Sequence, residues 1–414
     1  MRIIEPQQFQ YKVSQTKQRK KTKLRLYVSV ILLLPVVYGI WAYRQPIPTL
    51  LPHEVTINTK TEPVNLAWPK YGQSAIGANG YGVLATNGTN KPVPMASVAK
   101  VMLALAIMRA KPFAVGQPGA TITLTSDDVA LYDNYAAQGG SVVAVEEGEE
   151  LTQYQALQAL LLASANNIAD TLARWAFGSM EGYLQYSNDL AKTLKLTNTH
   201  FADASGFSAQ TVSTAADLVI LGQAALANPV IAQIVSQKEA TIPVAGAIQN
   251  VNYLLGQNGI VGIKTGNTEE AGGCYLFAAV QNITGGQPVT IVGAIMGASS
   301  LSIALRDVGP LLTSTTAGFG ARTVVHANQT IGYYDVPWGE RVNIVAQKDL
   351  SVFGWKATAT KISVDINATT VPQESKQFAG IVKAQATVDS QQGSAVTGSP
   401  ISTPKWYIRF LHRW

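Results

Sequence analysis

Ser97-Val-Ala-Lys100 sets a nucleophile and a base one helical turn apart. Residues i and i+3 lie on one face of a helix. A serine at a helix start has a backbone N–H with no intrahelical acceptor, and that N–H can bind the oxyanion that develops when the hydroxyl attacks. A lysine one turn further on, sunk among Val101-Met-Leu-Ala-Leu-Ala-Ile-Met108, is penalised for carrying charge. Its pKa then falls and its amine can take the serine proton. The pattern alone is weak, because Ser14–Lys17 and Ser402–Lys405 match it too. Its ordinary meaning is a helix-capping serine followed by a surface lysine. Only Ser97 opens a strongly apolar helix.

Two further segments add groups of the right kind. Ser164-Ala-Asn166 follows the apolar Leu160-Leu-Leu-Ala163. A buried helix that breaks at Ser and Asn points a hydroxyl and an amide into a cleft; a plain helix-end cap is the competing reading. Lys264-Thr-Gly266 sits on an expected strand. Gly266 lacks a Cβ, so a peptide can lie against that strand edge, while Lys264 and Thr265 can address a carboxylate. Each piece alone is a common accident. The ordered triple, at a helix start, a helix end and a strand, is far more specific.

These residues need a scaffold of helices against a sheet. Val98–Met108 and Tyr154–Leu162 read as buried helices, and Ser74–Ile76 and Gly82–Leu84 as short strands. Gly262–Thr265, Tyr275–Val280 and Val289–Met296 are separated by Gly-rich turns and read as consecutive antiparallel strands.

Pro94-Met-Ala-Ser-Val-Ala-Lys-Val-Met102 resembles the nucleophile segment of the serine-type D-alanyl-D-alanine carboxypeptidases, the low-molecular-mass penicillin-binding proteins. Ser164-Ala-Asn-Asn-Ile-Ala-Asp170 is similar to their second motif, and Lys264 to Cys274 to their third. His200-Phe-Ala-Asp-Ala-Ser-Gly-Phe207, followed by Ser213-Thr-Ala-Ala-Asp217, resembles a family segment between the second and third motifs. The similarity covers about residues 63–322. It implies an α+β fold: a β-lactamase/transpeptidase-like domain, an antiparallel sheet with helices, followed by a small all-β domain. It implies removal of the terminal D-alanine from peptidoglycan stem peptides ending in D-Ala-D-Ala, with β-lactam antibiotics as covalent inhibitors and no cofactor or metal. By resemblance, Ser97 is the acylated nucleophile and Lys100 its general base. Ser164 and Lys264 pass a proton to the leaving D-alanine. Asn166 holds the substrate's peptide amide, and Lys264 and Thr265 bind the terminal carboxylate. The backbone N–H groups of Ser97 and Asn267, beside Gly266, form the oxyanion hole. One departure is Ala99, where the familiar family form has threonine.

Rival readings have weaker support. A class A β-lactamase needs a glutamate for deacylation. Its usual Glu-x-x-Leu-Asn setting is absent between Asn166 and Lys264, Glu181-Gly-Tyr-Leu-Gln185 being the nearest approach. An endopeptidase or transpeptidase would use the same motifs, which do not choose the acyl acceptor. An inactive wall-binding scaffold would not need all three motifs intact. No Gly-x-Ser-x-Gly elbow supports a Ser-His-Asp hydrolase, and the four histidines lack metal-ligand spacing. Cys274 is the only cysteine, so no intrachain disulfide forms.

The rest of the chain places this machinery. Residues 1–25 hold eight bases and one acid, a net +7 against +6 for the whole chain, so the body is near neutral. That asymmetry is a membrane-orientation signal and not a nucleic-acid footprint. Residues 26–43 carry no charge and as a helix span roughly 27 Å, close to the hydrocarbon thickness. The expectation is a single-pass signal anchor in the cell membrane, with 1–25 a cytoplasmic arm and the catalytic part extracytoplasmic; a cleaved signal peptide is the alternative. Residues 44–62, with Pro46, Pro48 and Pro52, read as an extended tether. The catalytic domain is expected over 63–322 and a β domain over 323–398, with strands such as Val342–Val345, Ile362–Ile366 and Ile381–Val388. Ser390–Ser399 reads as a polar lead into an aromatic and basic tail, 399–414. That tail is a candidate second membrane contact, equally a closing strand or a disordered end.

Overall fold

The computed structural model describes the backbone of residues 7–411 and the side chains of 18–411. Arg2 and Glu5 of the basic arm and residues 412–414 of the tail lie outside the described residues, as do the side chains of Lys12 and Lys17. One long helix, α1 (Gln7–Arg44), contains the apolar run. Its stretch Gln18–Arg44 is long and apolar enough to cross a membrane.

The segment after it contains β1 (Pro52–Glu54). Next come β2 (Gln73–Ala78) and β3 (Gly82–Asn87), then α2 (Lys100–Ala110). The helices α3 (Ser126–Ala137), α4 (Gln153–Leu161), α5 (Asn166–Phe177), α6 (Met180–Thr193) and α7 (Ala215–Leu226) follow. Three long strands, β4 (Ile260–Thr268), β5 (Gly272–Gln281) and β6 (Val289–Ala298), lead into α8 (Leu301–Ala317).

The five strands form one antiparallel sheet in the order β4-β5-β6-β2-β3, so β4 is an edge. Helix α7 packs on β2, β3, β5 and β6, and α8 packs on β5 and β6. Both faces are therefore covered, which explains why the middle strands are almost wholly buried instead of alternating. Helix α8 buries Ala304, Leu305, Val308, Leu311, Leu312 and Thr315, a stripe at helical spacing that meets the sheet. Helix α2 is different: every residue from Lys100 to Met108 is buried, because α4, α5, α6 and α7 surround it.

The remaining strands are β7 (Phe319–Val325), β8 (Thr330–Tyr334), β9 (Val342–Ala346), β10 (Leu350–Trp355), β11 (Lys361–Ile366), β12 (Phe378–Gln385) and β13 (Ser390–Thr397). They make a six-stranded sheet, β1-β8-β9-β13-β12-β11, and the pair β7-β10. Leu50, Val325, Ile344, Val352, Val382 and Ala395 belong to their core. Phe319 and Trp355 instead join the α8 core, so the seam near residue 320 is packed. Helix α9 (Trp406–Leu411) closes the described chain.

Three sequence expectations are corrected. Residues 44–62 are not a free tether: Leu50 bridges to Thr369, β1 pairs with β8, and Thr59 exchanges two hydrogen bonds with the Thr360 backbone. A proline-rich composition suits an edge strand as well as a linker, because an edge does not need every N–H. Ser390–Ser399 is not merely a polar lead, since β13 runs between β9 and β12. Only Gly393 and Ala395–Thr397 of that strand are buried, which is why composition hid it. The described part of the tail carries a helix and not a strand. Arg409 donates to the carbonyls of Tyr43 and Gln45, and Phe410 meets Tyr38 edge-on at 5.6 Å, so α9 clasps the C-terminal end of α1.

Candidate active site

Ser97, the expected nucleophile, sits on a 3-10 turn, Ala96–Ala99, that feeds α2. The first bond of this turn runs from Val98 N–H to Met95 O, so the Ser97 N–H precedes the hydrogen-bonded ladder. Ala96 has a φ of +49° in a buried position. A non-glycine residue held there costs on the order of 1–3 kcal/mol and needs firm surroundings. They come from two glycines. A Cβ on Gly206, whose φ is +74°, would lie 1.8 Å from Ala96 O. A Cβ on Gly266 would lie 2.9 Å from Ser97 N and 3.2 Å from Met95 O. The missing Cβ of Gly266 admits the backbone of the Ser97 turn, a second reason for glycine here beside the expected passage of a substrate along this strand edge. The β4 edge and the Ser97 N–H are in contact as a result.

Lys100 is fully buried. Its Nζ lies 2.8 Å from Ser97 Oγ, 2.7 Å from Asn166 Oδ1 and 2.8 Å from Ser205 O. The last two are carbonyl oxygens and can only accept. Ser97 Oγ can accept or donate. A neutral Lys100 therefore donates twice to fixed acceptors and turns its lone pair towards the serine hydroxyl. Burial, helped by the charge of Lys264, pushes the Lys100 amine well below its ordinary pKa; Asp203 and Asp170 pull it partly back.

Ser164 and Asn166 sit where α4 gives way to α5. Thr152 and Gln155 form a capping box that starts α4, which ends at Leu161. Ser164 then adopts a φ of +63°, and Asn166 N–H donates to Ser141 O at 2.7 Å. This break turns Asn166 towards Lys100, whose amine its Oδ1 accepts; its Nδ2 is the remaining donor. Ser164 is buried beside it. Among the described residues the Ser164 hydroxyl bonds to none of Ser97, Lys100 and Lys264.

On β4, Lys264 and Thr265 are buried and Asn267 is exposed. Lys264 Nζ donates to Thr265 O at 3.0 Å, and burial pushes its amine down to about 7. Thus Ser97, Lys100 and Asn166 are joined by hydrogen bonds. Lys264 acts on Lys100 through charge, and Gly266 touches the nucleophile turn. Cys274 is buried in β5 with its thiol pushed up to about 11 by burial, which leaves it inert.

Sequence reasoning gave no role to residues 203–211, which hold the other side of Lys100. Asp203 Oδ2 accepts from Ser205 Oγ, Phe207 N–H and Ser208 N–H, and Oδ1 accepts from Thr211 Oγ1. The loop is thus wound around one carboxylate, and the Ser205 carbonyl is fixed. A backbone carbonyl has no residue-type signature, so only the resemblance of His200–Phe207 pointed there.

A family model described as D-alanyl-D-alanine carboxypeptidase matches residues 73–300, more than half of the chain. The chain is 25% identical over 351 residues to D-alanyl-D-alanine carboxypeptidase DacF of Bacillus subtilis, covering 80% of this chain and 85% of that protein. It is 35% identical over 206 residues to D-alanyl-D-alanine carboxypeptidase DacB2 of Mycobacterium tuberculosis, covering 48% and 66%. It is 27% identical over 235 residues to a D-alanyl-D-alanine endopeptidase of Escherichia coli, covering 52% and 70%. Its fold is that of penicillin binding protein 5 from Haemophilus influenzae, with a TM-score of 0.57, 17% identity and coverage of 83% and 99%. The Streptomyces K15 DD-transpeptidase matches with a TM-score of 0.52, 23% identity and coverage of 62% and 98%.

Proposed function

Since the chain belongs to the D-alanyl-D-alanine carboxypeptidase family, we propose that it removes the terminal D-alanine from peptidoglycan stem pentapeptides through an acyl-Ser97 intermediate. The observation that carries this is the Lys100 amine, buried and 2.8 Å from Ser97 Oγ, with carbonyl acceptors on its other bonds. Lys100 takes the Ser97 proton as Oγ attacks the carbonyl carbon of the penultimate D-alanine. The oxyanion lies between the N–H groups of Ser97 and Asn267. The C–N bond breaks as the proton taken by Lys100 is relayed through Ser164 and Lys264 to the leaving D-alanine nitrogen. Water then adds to the acyl carbon and gives a proton to Lys100, and that proton passes to Ser97 Oγ as the C–Oγ bond breaks. Asn166 holds the peptide through Nδ2, and Lys264 with Thr265 binds the terminal carboxylate. The carboxylate and strained amide of a β-lactam fit the same groups, which makes these drugs slowly released acylating inhibitors.

Release of D-alanine from a pentapeptide ending in D-Ala-D-Ala tests this reading. Wild type should release it and Ser97→Ala should not. Equal release by both would overturn the assignment of Ser97. A second reading, in which another peptide amine replaces water, has support from the relatives named as endopeptidase and transpeptidase. Product analysis with an added amine acceptor separates the two.

For location, α1 serves as a single-pass anchor with its basic N-terminal arm in the cytoplasm and the catalytic part outside. Helix α9, with Trp406, Tyr407 and Arg409 beside Tyr43, supplies a second contact at the membrane–water interface.

A further inference from the structure

Asp170 lies one turn beyond Asn166 on α5, on the same helix face, and the mechanism above gives it no task. Its Oδ2 accepts a hydrogen bond of 2.9 Å from Tyr135 on α3. Its Oδ1 is shielded from solvent and has no partner. The nearest guanidinium on its own helix, Arg174, is committed to Asp128 of α3 at 3.0 Å. The Tyr135 ring stacks edge-on against Phe207, whose N–H binds Asp203. The groups facing Asp170 are therefore Tyr135 of α3, Arg174 of α5 with its partner Asp128, Tyr183 of α6, Asp203 of the 203–211 loop and Lys100 of α2. Of these, Lys100 is the one cation with no carboxylate bonded to it.

A carboxylate with one orphaned, buried oxygen is costly to keep ionised. A structural tie between α3 and α5 would need only a hydroxyl or an amide at this position. We propose that Asp170 is a positioning residue for acylation: its carboxylate, held by Tyr135 one turn from Asn166, sets the proton occupancy of Lys100. The inference rests on Lys100 being the base for Ser97.

The direction follows from charge. Asp170 pulls the Lys100 amine up, against the larger downward push of burial, and Lys100 in turn pulls Asp170 down. Asp170 is itself pushed up to about 6, chiefly by burial and further by Asp203, against the Tyr135 bond. With Asp170 ionised, Lys100 holds its proton more firmly and can hand it on after taking it. With Asp170 neutral, Lys100 loses its proton at a lower pH.

The second-order rate of acylation by a fluorescent penicillin, followed from about pH 5 to 9 on the full chain, tests this. Asp170→Asn should move the acid limb to lower pH by roughly one unit, the scale for losing one nearby opposite charge. Asp170→Glu keeps the charge and should leave the limb at the wild-type position. Tyr135→Phe removes the bond that favours the ionised carboxyl, so it should move the limb the same way by less. An acid limb unmoved or shifted upward in folded Asp170→Asn overturns the proposal. If that variant does not fold, an unmoved limb in Tyr135→Phe does so. Lys100→Ala separates the two levels. Acylation that survives it removes the base itself; acylation lost there, with the limb unmoved in Asp170→Asn, removes only the role of Asp170.

Discussion

Among the described residues from Phe319 onward, the buried polar side chains are two threonines, Thr360 and Thr397. In the cleft of the preceding fold, Lys100, Ser164, Asn166, Lys264 and Thr265 are all buried. The backbone divides the same way. In the later region the non-glycine residues with positive φ, Asn328 and Lys376, are exposed turn residues, whereas Ala96 and Ser164 are buried. The β9 strand buries alternate residues in the ordinary way, while α2 carries a lysine into the core, where, among the described residues, its amine meets only three polar partners. One region is packed in the ordinary way, and the other keeps buried ionisable groups and strained backbone where the proposed chemistry would use them. Such groups persist only where neighbours hold them, which is the work of the Asp203 loop and of the two close glycines.

The sharpest division comes from Lys100→Ala. Acylation by penicillin should slow by at least ~10²-fold, the usual scale for a lost general base. Thermal stability should change less than the rate, because relief of a desolvated amine is set against the cavity and the two acceptors, Asn166 Oδ1 and Ser205 O, left without a donor. Unchanged acylation would break the comparison at its centre.

Ile344→Ala, at a fully buried position of β9, should do the reverse. It should cost about 3 kcal/mol of stability by chemical unfolding, as cavity-forming substitutions do. Its acylation rate should match wild type. A joint loss of rate and stability would mean that the two regions do not divide labour as argued.

Lys264→Met should raise stability, by at most about 5 kcal/mol for a shift of that size and by less once the bond to Thr265 O is lost. Its folded amine is pushed down to about 7 from the ordinary 10.5, so the unfolded chain binds that proton more tightly. The penalty is complete below about pH 7 and fades as pH rises towards 10.5. The gain over wild type should shrink across that window. A gain that does not vary with pH would mean that the folded amine keeps its ordinary pKa and Lys264 stays charged as in the unfolded chain. The same variant should weaken binding of carboxylate-bearing substrates.

Much of the cleft is legible in the sequence because its key spacing is local. Ser97 and Lys100 meet through one helical turn, and the break between Leu161 and Asn166 follows from Ser and Asn after an apolar run. The rest depends on backbone. The Ser205 carbonyl that holds Lys100 can come from any residue type. The motif points to Gly266 as a substrate contact, and the close approach of the Ser97 turn to it is visible only in the fold. Strand β13 is polar in composition because only part of it is buried, and residues 50–54 join the sheet edge by backbone bonds that proline content obscures. Hydrophobic patterning reads side chains, so elements held by main-chain pairing escape it.

Intact-mass spectrometry of the purified full chain, with and without penicillin and beside Ser97→Ala, tests the acyl-serine mechanism most directly. The account predicts a gain of one penicilloyl group in wild type and none in folded Ser97→Ala. A persistent adduct on the variant, or none on folded wild type, would contradict it.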